Sequence, residues 1–182
     1  MVYRRYASIS LSMLVCLFMN DLAFAESHEE AVDMTKVGPL ARPVTEPDEK
    51  GIEALWKASD EAFKNQDMEA AAALHDWPVY MGTDNSAGVY MGSEWSREQW
   101  LQIMSGFQMP EDFRVKHDIT PHFLSNTMAI VIDEGTMMMG GKKLGTFKNA
   151  SLVIKKDGKW LFKSGLEAGW GDVPPPEQAA AP

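Results

Sequence analysis

Four long strand-like runs occupy the C-terminal part of this chain, at residues 112–120, 127–139, 143–155 and 159–168, and the last three are separated only by turn sequences around Gly140-Gly141 and Lys156-Asp157-Gly158. Strands joined this tightly form antiparallel hairpins, because a parallel neighbour needs a crossover of about a dozen residues or more. The helix-like segments all come earlier. That order excludes an alternating βαβ chain and predicts an α+β domain, with N-terminal helices packed on one face of an antiparallel sheet.

Ile52, Leu55, Trp56, Ser59, Ala62 and Phe63 repeat at the three-and-four spacing of an amphipathic helix, started by Pro47-Asp48 and ended by Asn65-Gln66. Asp67 fits an N-cap for a short second helix over residues 68–74, whose consecutive alanines allow close approach to a sheet. Residues 79–83 and 87–92 predict two short strands around Asp84-Asn85-Ser86. Ser96-Arg97-Glu98-Gln99 matches a capping box for a third helix, with Trp100, Ile103, Met104 and Phe107 as its apolar stripe.

The flanks read differently. Arg4 and Arg5, an apolar stretch over residues 9–19 and Ala23-Phe24-Ala25 make residues 1–25 an expected secretory signal. The apolar stretch is shorter than the roughly 20 residues of a spanning helix. Cys16, the one cysteine, would leave with it, so the expected product forms no disulfide and is stabilised by its core alone. Residues 26–47, with Pro39, Pro43 and Pro47, read as a disordered linker, and residues 172–182 as a disordered Pro/Ala tail, leaving 48–171 as the folded domain. The expected location is periplasmic or secreted. A net charge of -9 argues against nucleic acid or an anionic membrane surface as partner.

Three segments resemble the NTF2-like (cystatin-like) superfamily, in its SnoaL-like branch: Lys64-Asn65-Gln66-Asp67-Met68-Glu69-Ala70, Met81-Gly82-Thr83-Asp84 leading to Met91-Gly92, and Lys156-Asp157-Gly158-Lys159-Trp160. The resemblance covers residues 48–169. It implies a cone of helices and curved antiparallel sheet with one open mouth, hence a pocket, but no single activity, since the superfamily includes isomerases, cyclases, dehydratases and domains without chemistry. Its ketosteroid-isomerase pattern is not met: Ser59 stands where a tyrosine is expected and residues 146–153 hold no acid, although Asp84 falls near the base position.

Candidate site residues follow from strand alternation. Phe113, Val115, His117 and Ile119 share one face, which puts His117 on the apolar side as a candidate acid or base or, equally, as a hydrogen-bonded core residue. His122 follows Pro121 at an expected bulge. Asp133 and Glu134 point to opposite faces, so only one enters the cavity; Glu134, with Met128, Ile130 and Ile132, is the better candidate. His117, Glu134 and Asp84 are therefore the candidate catalytic set. Trp77, Tyr80, Trp100, Met137 and Trp170, from a supply that includes Trp95, Met138, Met139 and Glu167, are candidates for lining an adaptable apolar pocket or for filling the core. The four histidines show no metal-ligand spacing and no phosphate loop is present, so neither metal nor cofactor is expected.

These residues predict binding of a small apolar or amphipathic molecule. The alternatives are acid–base catalysis of the isomerase, cyclase or dehydratase kind, and a homodimer through the outer sheet face without a ligand.

Overall fold

The computed structural model describes residues 35–38, 41–107 and 109–173. The expected signal and nearly all of the expected tail lie outside these residues. Among the described residues three helices, α1 (Glu49–Lys64), α2 (Met68–Ala72) and α3 (Arg97–Met104), accompany seven strands: β1 (His75–Asp84), β2 (Tyr90–Trp95), β3 (Phe113–Lys116), β4 (Ile119–Ser125), β5 (Met128–Met139), β6 (Lys142–Lys156) and β7 (Lys159–Glu167).

The strands make one sheet in the order β2-β1-β7-β6-β5-β3, with β4 also on β5. The long hairpins β5–β6 and β6–β7 are antiparallel, as expected. The sheet is not wholly antiparallel, however, because β1 pairs with β7 in parallel. The rest of the domain supplies the long crossover that such a pair requires.

Capping sets the helix starts. The Asp48 carboxylate accepts from Gly51 N at 2.9 Å, the Asp67 carboxylate from Ala70 N at 2.9 Å, and Ser96 and Gln99 complete the capping box of α3. Ile52, Leu55 and Trp56 of α1 are buried against Ala129 and Val131 of β5, Val153 of β6 and Trp160 of β7. Small side chains on the sheet let the helix come close. A second cluster joins Ala62, Ala71, Ala72 and Trp100, with Trp77 packed against it.

Two expectations need correction. The run 112–120 is two strands, interrupted at His117 and Asp118, yet the register on β5 carries through from Lys116 opposite Thr136 to Ile119 opposite Asp133, with Glu134 N still donating to the Asp118 carbonyl at 3.0 Å. The folded unit also begins before residue 48: Asn126 Oδ1 accepts from Thr45 N at 2.9 Å and Glu46 N at 3.1 Å, and its amide donates to Thr45 Oγ1 at 2.8 Å.

Candidate functional site

On β5 the residues facing the helices are Ala129, Val131, Asp133 and Gly135, all buried. Asp133 lies opposite Ile119 on β4 and Asn149 on β6, and Asn149 lies opposite Glu167 on β7. Residues directly opposed in an antiparallel pair point to the same face, so Asp133, Asn149 and Glu167 form a polar row across three strands on the inner side of the sheet.

His117 meets this row from β5's other neighbour. Its Nδ1 lies 2.5 Å from Asp133 Oδ2, and its Nε2 lies 2.9 Å from Asp60 Oδ1 on α1. The Trp56 indole also donates to Asp133 Oδ2, at 3.3 Å. The Asp133 side chain is fully buried, that of His117 is 22% exposed and that of Asp60 is 51% exposed, so the arrangement runs from core to rim. Burial by itself would lower the His117 pKa, but the hydrogen bonds to Asp133 and Asp60 and the charges on both outweigh it, raising the value to about 9. At neutral pH His117 is an imidazolium bonded through both nitrogens.

Its surroundings are shaped by a glycine. Gly135 carries the face opposite Phe147, and any Cβ there would meet the Phe147 ring. That ring stands edge-on to His117, with centroids 6.1 Å apart. Among the described residues, no donor reaches Asp133 Oδ1 or Asn149 Oδ1, both buried acceptors. Burial pushes the Glu167 carboxyl up, a hydrogen bond from Trp170 works against this, and the Asp133 charge adds to the rise.

Glu134 does not take part. It is exposed on the outer face and pairs with Lys148, so the expectation that His117 and Glu134 line one cavity is corrected: the buried partner of His117 is Asp133. The larger Met128, Ile130 and Ile132 lie on the outer face with Glu134, and the smaller Ala129 and Val131 face α1. Asp84 holds the rim together instead of joining His117: its Oδ1 accepts from Gly169 N at 2.8 Å and its carbonyl from Gly171 N at 2.9 Å.

The apolar candidates divide similarly. Trp77 and Trp100 belong to the core around His75, with Trp77 Nε1 donating to the Ala72 carbonyl at 3.1 Å. Tyr80 is on the outer face, its hydroxyl 2.6 Å from that of Tyr90. Met137 continues the inner face of β5, half-buried opposite Val115 and Gly145. Trp170 is at the rim, its ring 6.4 Å from that of Phe107. His122 is exposed beyond Ile119, and the irregularity in β4 falls just after it, between Phe123 and Ser125.

Sequence reasoning missed Asp60, Asn149 and His75. Asp60 was detectable as the residue one helical turn beyond Trp56 on α1. Asn149 was detectable as a polar break on the inward side of β6. His75 stacks on Trp77 at 5.1 Å and lies against Trp100 and Phe162, where burial lowers its pKa to about 4.

No protein-family model matches the chain, and no curated protein matches it. Solved structures do. An NTF2-like protein of unknown function from Shewanella oneidensis superposes with a TM-score of 0.53 at 18% identity, over 66% of this chain and 98% of that one. A domain of unknown function with a cystatin-like fold from Nostoc punctiforme gives 0.52 at 16% identity, over 66% and 76%. An NTF2-like protein of unknown function from Pseudomonas putida gives 0.52 at 13%, over 66% and 84%. The chain therefore has the NTF2-like, or cystatin-like, α+β fold.

Proposed function

We propose that this domain binds a small apolar or amphipathic molecule against the inner face of its sheet and carries out proton-transfer chemistry there through His117. The observation that supports this reading is the suspension of His117 between Asp133 and Asp60 beside an interior polar row. Asp133 is the fixed partner, since it is buried and also bonded to Trp56. Asp60 is the exchangeable one, because its half-exposed carboxylate can return to water while a ligand oxygen takes its place at Nε2. An imidazolium so presented acts as a general acid or stabilises developing negative charge.

Thermal-shift screening of the chain against enolisable apolar molecules, followed by NMR titration of His117 with the hits, tests the reading. Hits are expected to perturb the Nε2 signal and to bind more weakly to His117→Gln. Ligands that bind equally well to that variant would overturn it.

A second reading, binding without chemistry, is favoured by the fact that both ring nitrogens of His117 are already occupied. A pH–rate profile with any turned-over hit separates the two. For assembly we propose a homodimer through the outer sheet face, where Leu124, Met128 and Leu166 are exposed. For location we propose export with cleavage after Ala25, to be checked by intact mass of the exported chain.

A further inference from the structure

We propose that Trp56 is the positioning residue of this site: its indole orients the buried Asp133 carboxylate toward His117 and weakens the hold of that carboxylate on the imidazolium. The inference rests on the proton-transfer reading above and adds the group that sets the strength of its acid.

Two donors converge on one oxygen of Asp133. His117 Nδ1 lies 2.5 Å from Oδ2, and Trp56 Nε1 donates to the same atom at 3.3 Å, whereas no donor among the described residues reaches Oδ1. The Asp133 side chain is fully buried, so these two bonds, and not water, decide how its charge is held. A hydrogen bond to an ionised carboxylate stabilises the charge and makes the group a weaker base. The indole therefore leaves Oδ2 with less attraction for the imidazolium.

Trp56 is itself held from the other side. It is buried in the core between α1 and the sheet, and its ring meets that of Phe162 edge-on with centroids 4.8 Å apart. Asp60 stands one helical turn further along the same face of α1 and meets His117 Nε2 at 2.9 Å. One turn of one helix thus addresses both ends of the pair. Trp56 acts on the acceptor that keeps Nδ1 protonated, and Asp60 covers Nε2, the nitrogen from which the proton leaves. The other acidic group on this inner face is Glu167 of β7, which feels the Asp133 charge. From β6, Phe147 presents a ring edge to His117.

Without the indole donor, Asp133 would hold the imidazolium more strongly and His117 would be a weaker acid. With it, the Nε2 proton is given up more readily to a ligand oxygen. A tryptophan that only filled the core would leave this acidity unchanged when replaced by another aromatic ring.

The test is NMR of the full chain without ligand. In wild-type protein carrying isotope-labelled tryptophan, the Trp56 indole N–H signal is expected to move with pH at the same midpoint as the His117 ring, about 9. Loss of the imidazolium charge strengthens the indole bond to Oδ2, and the movement should vanish in His117→Gln. Trp56→Phe keeps an aromatic ring against Phe162 but removes the donor, so the His117 midpoint is expected to rise by about one pH unit, roughly a tenfold loss of acidity. A midpoint that stays or falls in Trp56→Phe removes the positioning role. So does a wild-type indole signal that does not follow His117, and that measurement decides the matter if Trp56→Phe does not fold. Neither readout needs a ligand, so a failed ligand screen removes the proton-transfer reading alone and leaves the shared titration in place.

Discussion

His117 and His75 are perturbed in opposite directions, and the signs give a testable pH dependence. The His117 pKa is raised from 6.5 to about 9, so folding favours its protonated form. Its contribution to stability is complete below about 6.5 and is lost as pH rises toward 9. The His75 pKa is lowered from 6.5 to about 4, so folding favours its neutral form; its contribution is complete above about 6.5 and is lost as pH falls toward 4. Thermal melts between pH 4 and 9 are therefore expected to show maximum stability near pH 6.5. His117→Gln should flatten the alkaline side while leaving the acid side in place, and an alkaline side that stays steep contradicts the assignment. Asp133→Ala is the harsher change, because it leaves a partly buried imidazolium with only the half-exposed Asp60. A loss of about 3 kcal/mol is expected in denaturant unfolding, together with a fall in the His117 pKa by NMR. Glu134→Ala, which removes only an exposed pair with Lys148, should change stability by less than about 0.5 kcal/mol.

At the level of elements, period and capping are readable from the sequence, whereas the choice of face is not. Alternation puts His117 inward and sets Asp133 against Glu134, but both sides of β5 are apolar, and periodicity alone cannot say which side a helix covers. The deciding fact is that Ala129 and Val131 are small enough for Leu55 and Trp56 to pack on them. Sequence also makes β1 too short, at residues 79–83, because Trp77-Pro78 reads as a break. The start of the strand is instead held from outside it, by Lys163 Nζ donating to the Asp76 and Pro78 carbonyls at 3.0 and 2.8 Å. The Asp48 cap is readable from the sequence, but its tertiary role is not. Its carboxylate also accepts from Lys155 Nζ at 2.7 Å and Trp160 Nε1 at 2.9 Å, and these bonds with that from Gly51 hold its pKa down to about 2. Asp48→Ala should therefore remove more than a cap, lowering stability by about 2 kcal/mol in denaturant unfolding. A loss of a few tenths would mean that α1 is held by its apolar stripe alone.

For the whole molecule, the same two-sided apolarity that hid the site leaves a sheet with one covered face and one bare face. The inner face is closed by α1 over Ala129, Val131 and Val153. The outer face carries Ile130, Ile132, Leu152, Ile154 and Leu161, all half-buried with no helix among the described residues over them, and bordered by Tyr80, Leu124, Met128 and Leu166, each more than a third exposed. Contiguous exposed apolar surface is characteristic of interaction sites, and it is the basis of the dimer proposed above. We propose a second copy as its partner, since two copies offer the same side chains to each other, as an isologous pair requires. Light scattering of the full chain at micromolar concentration is thus expected to give a dimer. Leu166→Lys, a change at an exposed position of that face and away from the α1 core, should give a monomer with an unaltered melting curve at dilutions where the wild type is also monomeric. A wild type that stays monomeric at millimolar concentration would rule out a homodimer through this face.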